Sequence, residues 1–122
     1  MIEKLAGFPS DVLAFACRGR VTRRDYETVL IPAAQAAFEA HDRVRLYYEI
    51  GPDFETIETG ALLEDLKVGM EHLTSWDRVA LVSDVDWIRN TVRLFGFLLP
   101  GRLKVFHLGE ASEARHWISA TN

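Results

Sequence analysis

The run Asp77-Arg78-Val79-Ala80-Leu81-Val82-Ser83-Asp84 constrains this chain more than any other segment. Its central residues are continuously apolar, whereas a strand with one wet face alternates apolar and polar positions. A strand over 78–83 is therefore expected to be covered on both faces, central and parallel, with helices packed on the sheet. The flanking sequence supplies such helices. Residues 60–76 place Leu62, Leu66, Gly69, Leu73 and Trp76 on one stripe, and residues 86–99 form a second helix pattern closed by Pro100-Gly101.

The beginning of the chain reads differently. Residues 2–6 and 12–20 read as strands joined by the turn Phe8-Pro9-Ser10-Asp11, close enough to pair antiparallel. Thr22 then opens a helix, with Asp25 three residues on in a capping-box-like arrangement and Tyr26, Leu30, Ala33, Ala34 and Ala37 as its buried stripe. Pro32 falls inside this pattern, where it removes a donor and crowds the carbonyl four residues back, so a bend or break is expected. Residues 44–50 read as the third strand, and Gly51-Pro52-Asp53-Phe54-Glu55-Thr56 as a loop leading to the next helix. A strand over 103–108 and a last helix with Ala111, Ala114, Trp117 and Ile118 on its face complete the order ββαβαβαβα. That order predicts an α/β fold: one domain over 1–122, a mostly parallel sheet, an antiparallel N-terminal strand and right-handed crossovers.

Bulk properties exclude several classes of function. The chain of 122 residues, 48% apolar and 26% charged, is long enough for one ordinary core. Its net charge of -4 opposes nucleic acid as a partner, because phosphate binding needs a positive field. Cys17, the single cysteine, lies in an apolar run and reads as a buried, inert thiol, which fits a reducing compartment. Charged residues follow Met1 at once, and no apolar segment approaches the roughly 20 residues of a spanning helix. The expected location is the cytoplasm, with peripheral contact at a membrane left open.

The element order, with Thr22-x-x-Asp25-Tyr26 and Pro32, then Ala61-Leu62-Leu63-Glu64-Asp65-Leu66-Lys67 and His72, then Arg78-Val79-Ala80 and Trp87, and finally Ala114-x-x-Trp117, resembles the bacterial SpoIIAA-like family of STAS-fold proteins. The resemblance implies a STAS-like sheet, similar also to CRAL-TRIO lipid-binding domains. It suggests either a regulatory role or the binding of a lipid or small apolar ligand. In anti-sigma-factor antagonists of this fold, a Ser followed by Gly at the helix start after the third strand is phosphorylated to control partner binding. The nearest equivalents here are Thr59-Gly60 and Thr56, in a segment where Glu55, Glu58, Glu64 and Asp65 already concentrate negative charge. The favoured reading of Thr59 is a plain helix cap, and the sequence does not itself support a phosphoswitch.

The segment 86–99 is the leading candidate for a working surface. Ile88, Val92, Phe95 and Leu99 share one line sufficient to dock it on the sheet. Trp87, Leu94 and Leu98 widen the apolar arc, while Phe97 falls among Arg89, Asn90 and Arg93. The stretch 85–104 carries a local charge of +3. Apolar groups interleaved with arginines suit a lipid headgroup or an anionic membrane surface. Packing on a neighbouring helix, or on a second copy in a homodimer, would explain the same residues.

A catalytic reading is weaker. It would pair Ser83 with His107, or use Asp84, Asp86 and His107 as metal ligands, and none of these has diagnostic spacing. No catalytic residue, metal or cofactor is called for. His72 could sense pH through Asp65, two turns away on its helix, though packing explains it as well.

Overall fold

The computed structural model describes residues 1–120, without the side chains of Asp65, Leu66, Gly69, Met70 and Leu73. Five strands form one sheet in the order in which they occur along the chain. β1 (Ile2–Lys4) runs antiparallel to β2 (Val12–Val21), and β3 (Val44–Ile57), β4 (Trp76–Val82) and β5 (Leu103–Phe106) follow in parallel. When each parallel strand is laid beside its predecessor, right-handed crossovers carry every intervening helix to the same face.

The packing follows from that rule. On one face Leu13, Phe15 and Cys17 of β2 and Leu81 of β4 join Tyr26, Leu30, Ala34, Ala61 and Leu99 from the crossovers. The other face carries Ala14, Tyr47, Ala80 and Val82, and α5 (Ala111–Ser119) covers it through Ala114 and Ile118. Alanines on both sides of that contact let the helix backbone lie close to the sheet. β4 is thus buried on both faces, as its continuous apolar run requires, although β3 occupies the middle of the sheet. α5 runs back toward the strand starts. There Arg45 donates to the carbonyls of Ile118 and Ala120 and ion-pairs with Asp77 at 2.8 Å, while Arg78 donates to the Trp117 carbonyl at 2.9 Å.

The first crossover shows how the chain accommodates Pro32. The Thr22 hydroxyl accepts from the Asp25 amide and the Asp25 carboxylate accepts from the Thr22 amide, closing a capping box before α1 (Arg23–Asp25). The chain then widens into a π-helical turn over Tyr26–Leu30 before α2 (Ile31–Ala40), with Pro32 in the first turn of α2. An ordinary turn would press the proline ring against the Thr28 carbonyl. The wider turn relieves that crowding, so the expected break appears as a local change of pitch.

Three expectations for the second crossover need correction. Residues 51–56 are not a loop: β3 continues to Ile57, with register shifts against Gly19 and Arg20 of β2. Pro52 lacks an N–H, and the bulge removes the need for one, while Gly19 takes the positive φ of 53° that the bent partner strand demands. The next helix, α3 (Thr59–Glu71), stops before Trp76, which instead starts β4 and is buried edge-on against Phe38 at 5.0 Å. Its phase also differs, because Ala61 is buried and Leu62 is exposed. The small pair Gly60-Ala61 admits the stem of Arg23, 3.2 Å from where a Gly60 Cβ would stand, and this close approach turns Leu62 and Leu63 outward. The expected stripe members Leu66, Gly69 and Leu73, and the proposed Asp65 partner of His72, lie outside the described side chains. His72 itself stacks on Phe38 at 4.0 Å.

After β4, α4 (Asp86–Leu94) tightens into a 3-10 turn over Phe95–Leu98 rather than continuing as one helix to residue 99. The tighter turn rotates Phe95 away from the sheet, leaving it exposed, while Leu99 stays buried. Leu99-Pro100-Gly101-Arg102 then forms a turn closed by the Arg102 amide on the Leu99 carbonyl at 3.0 Å, with Gly101 at φ 75°. Pro followed by Gly at positive φ is the type II pattern, and it delivers β5 to the edge of the sheet. β5 ends at Phe106 because Glu110 captures the His107 amide and starts a short turn there.

Candidate functional site

The segment 86–99 divides its residues sharply between anchoring and exposure. Ile88 and Val92 pack against the core. Arg89, expected on the outer surface near Phe97, is 6% exposed and points beneath α4. Its guanidinium donates to the Ser83 carbonyl at 2.9 Å and the Phe106 carbonyl at 2.7 Å, tying together the ends of β4 and β5. A buried guanidinium needs such acceptors, and the carboxyl ends of parallel strands provide them. Arg89 is therefore a fastening of the fold and not part of an outer contact surface.

The remaining members of that set lie differently. Leu94 is 71% exposed, Phe97 73% and Trp87 49%, and Arg93 is also exposed. Leu98 is half-buried. Arg93 and Gly96 line a groove of about 420 Å³ along the outer side of β5, with Leu103, Lys104, Val105, Phe106 and Glu110. Neither Arg93 nor Lys104 meets a carboxylate among the described residues. Lys104 instead stands 4.9 Å from the Trp117 ring centre, and Arg78 5.4 Å from it, in cation–π geometry.

A second groove, of about 530 Å³, gathers the expected regulatory positions Thr56, Thr59 and Gly60 with Arg20, Arg23, Ile57 and Glu58. Thr59 is the first residue of α3; Glu58, not Thr59, occupies the cap position. Glu58 accepts from the Arg23 amide at 3.0 Å and from the Arg20 guanidinium at 2.8 Å, and these bonds hold its carboxyl below the usual range. Arg23 also reaches Glu27 at 3.0 Å and Glu64 at 3.6 Å. Burial raises the Asp25 carboxyl nearby, but the amide and hydroxyl of Thr22 and the adjacent ammonium of Met1 outweigh it and leave the group lowered.

The catalytic candidates do not assemble. Ser83 is buried, and its hydroxyl accepts from the Val85 amide at 3.0 Å, shaping the turn into α4. His107 Nδ1 meets Asp84 at 3.1 Å rather than Ser83, and the Leu108 amide donates to the same carboxylate oxygen. That amide and then His107 lower the Asp84 carboxyl. No group of three His, Cys, Asp or Glu side chains able to hold a metal occurs among the described residues, which removes the Asp84, Asp86 and His107 set. On the opposite face burial, then Glu49 at 2.6 Å, pushes the Tyr47 phenol up, while Arg115 lies 5.5 Å from its ring centre.

The open edge at β5 was not legible in the sequence, nor was the pairing of Arg20 and Arg23 with carboxylates distant along the chain. Both depend on strand order and on the bulge in β3. No described helix is long and apolar enough to cross a membrane.

Comparison with known proteins agrees with this architecture. A family model described as SpoIIAA-like matches residues 12–119. The crystal structure of an uncharacterised protein from Shewanella loihica PV-4 with a SpoIIAA-like fold superposes with a TM-score of 0.73 at 24% identity, covering 96% of this chain and 93% of that one. No curated protein matches the sequence.

Proposed function

The chain belongs to the SpoIIAA-like family, and from that premise we propose that it is a non-enzymatic binding and regulatory module whose α4 and following turn engage an anionic lipid surface. One observation carries the reading: Leu94, Phe97 and Trp87 stand exposed on a single segment beside Arg93, which is exposed and meets no carboxylate among the described residues. Removing such a side chain from water yields roughly 1.5–3 kcal/mol, and a basic residue near an anionic surface adds about 1 kcal/mol. Three apolar groups and one cation therefore suffice for reversible peripheral contact. A free lipid or small apolar ligand would use the same residues, with the arginine on its headgroup. Flotation with vesicles containing phosphatidylserine tests the proposal. The protein is expected to float with anionic but not neutral vesicles, and Phe97→Asp combined with Arg93→Glu to abolish flotation; binding that survives both substitutions would remove the lipid reading.

The groove at Thr56, Thr59 and Gly60 supports a second reading, that of a protein-interaction regulator of the anti-sigma-antagonist type. Its support is the convergence of those residues with Arg20 and Arg23 at the start of α3. Affinity capture of a kinase-like or sensor partner that Thr59→Glu releases would favour this reading. Capture unaffected by Thr59→Glu would count against it.

A further inference from the structure

We propose that the outer edge of β5 is a strand-addition site for an extended, acidic segment of a partner protein, which would extend the sheet by one strand. The backbone geometry is the starting point. The Val79 amide bonds the Arg102 carbonyl at 2.8 Å and the Ser83 amide bonds the Phe106 carbonyl at 2.9 Å. With Val79 opposite Leu103 and Leu81 opposite Val105, the alternation of a parallel ladder commits Lys104 and Phe106 to β4. The N–H and C=O groups of Leu103 and Val105 therefore point to the open side, where no strand pairs with them among the described residues. An extended chain satisfies such a row by its own main chain, and flanking side chains then set its preference.

Those flanking side chains define the occupant. Leu103 and Val105 face the α4 side, beside Gly96, whose missing side chain leaves the groove open above Leu103. Lys104 faces the α5 side with Phe106 and Trp117. A strand with apolar residues toward Leu103 and Val105 and carboxylates toward Lys104 matches both faces, and Arg93 adds a second cation at the groove wall. Glu110, the acid lining the groove, already accepts the His107 amide at 2.8 Å. A second copy of this chain fits poorly, because it would bring its own Lys104 and Arg93 to an edge that already holds both. The site goes beyond the lipid reading, since it uses the main chain of β5 and not Trp87, Leu94 or Phe97.

The test uses the full chain and a fluorescein-labelled decapeptide of alternating valine and glutamate, with an alternating valine–lysine decapeptide as control. The expected result is binding of the valine–glutamate peptide by anisotropy, with slowed hydrogen exchange at the Leu103 and Val105 amides. Val105→Pro deletes an outward N–H that makes no bond to β4, so the domain stays folded while affinity falls by roughly tenfold or more. Lys104→Glu, a change at an exposed position, is expected to weaken the valine–glutamate peptide and strengthen the valine–lysine one. Vesicle flotation of Val105→Pro should equal that of the unaltered protein, which separates this proposal from the lipid reading. The proposal is overturned by absence of binding at millimolar peptide, by equal binding of the two peptides, by protection confined to other strands, or by a homodimer that occupies this edge.

Discussion

Arg20 and Arg23, beside the groove at Thr59, each meet carboxylates, whereas Arg93 and Lys104, beside the β5 edge, meet none among the described residues. The two regions use the same kinds of side chain. In the first, Glu58 takes one arginine's guanidinium and the other's amide, and Glu27 and Glu64 complete the set. In the second, the cations border exposed Leu94 and Phe97 and an unpaired strand edge. A region whose charges are paired internally gains little from a partner, while one whose cations meet no carboxylate and whose apolar groups are exposed gains by covering them. This contrast, more than any single motif, is what supports the proposal of a working surface at the β4–β5 end.

The largest expected effect tests whether arginines within that end differ as described. Arg89→Ala takes the charged donor from the Ser83 carbonyl and from the Phe106 carbonyl, which keeps the Ser83 amide, and should lower unfolding stability by roughly 2 kcal/mol, read from denaturant midpoints. Arg93→Ala should cost under about 0.5 kcal/mol, as expected for an exposed residue that meets no carboxylate among the described residues. Equal losses would erase the distinction between fastening and surface.

Acid comes next, because both regions hold a carboxylate lowered by hydrogen bonds. Glu58 is lowered by the Arg23 amide and then Arg20, and Asp84 by the Leu108 amide and then His107. In the unfolded chain these groups return to ordinary values near about 4, so the unfolded state takes up protons first as pH falls. Stability present above those ordinary values is therefore lost as pH drops through the lowered native ones. Thermal melts should show a plateau at neutral pH and a decline below about pH 4, less steep in Glu58→Gln and Asp84→Asn. A decline of unchanged steepness in both variants would contradict the assignment.

The smallest effect concerns salt. Removing the exposed Arg20–Glu58 pair with Glu58→Gln should slightly lower the melting temperature in dilute buffer, and the difference should vanish near about 1 M salt, where charges are screened within a few ångströms. Persistence at high salt would mean that the groove at Thr59 is held by something other than its charges.

Much of the architecture was legible because patterning and topology are tightly coupled. The continuous run Val79-Ala80-Leu81-Val82 required cover on both faces, and α5 and the crossover helices provide it. Other features escaped for identifiable reasons. Pro52 and Gly51 carry turn chemistry, yet a bulge against Gly19 keeps their segment in the sheet. Leu62 fits a helical stripe, but Gly60-Ala61 offered a closer approach and won the buried position. Arg89 looked like a surface residue because the strand-end carbonyls that receive it lie far from it in sequence or beyond its own helix. The same distance hid the open flank of β5, since no periodicity within four residues reveals which neighbour a strand lacks.

Arg45 and Arg78 carry a further consequence. They grip the final carbonyls of α5 from the starts of β3 and β4, where that helix concentrates its negative end. The head of α5 is held by exposed bonds next to β5, the Leu108 amide and His107 on Asp84 and the His107 amide on Glu110, whereas the bonds at its tail are partly buried. Fraying should therefore proceed from head to tail. A partner seated on β5 would brace the looser end, so occupancy at the sheet margin could be felt along the whole helix without any change in its core contacts.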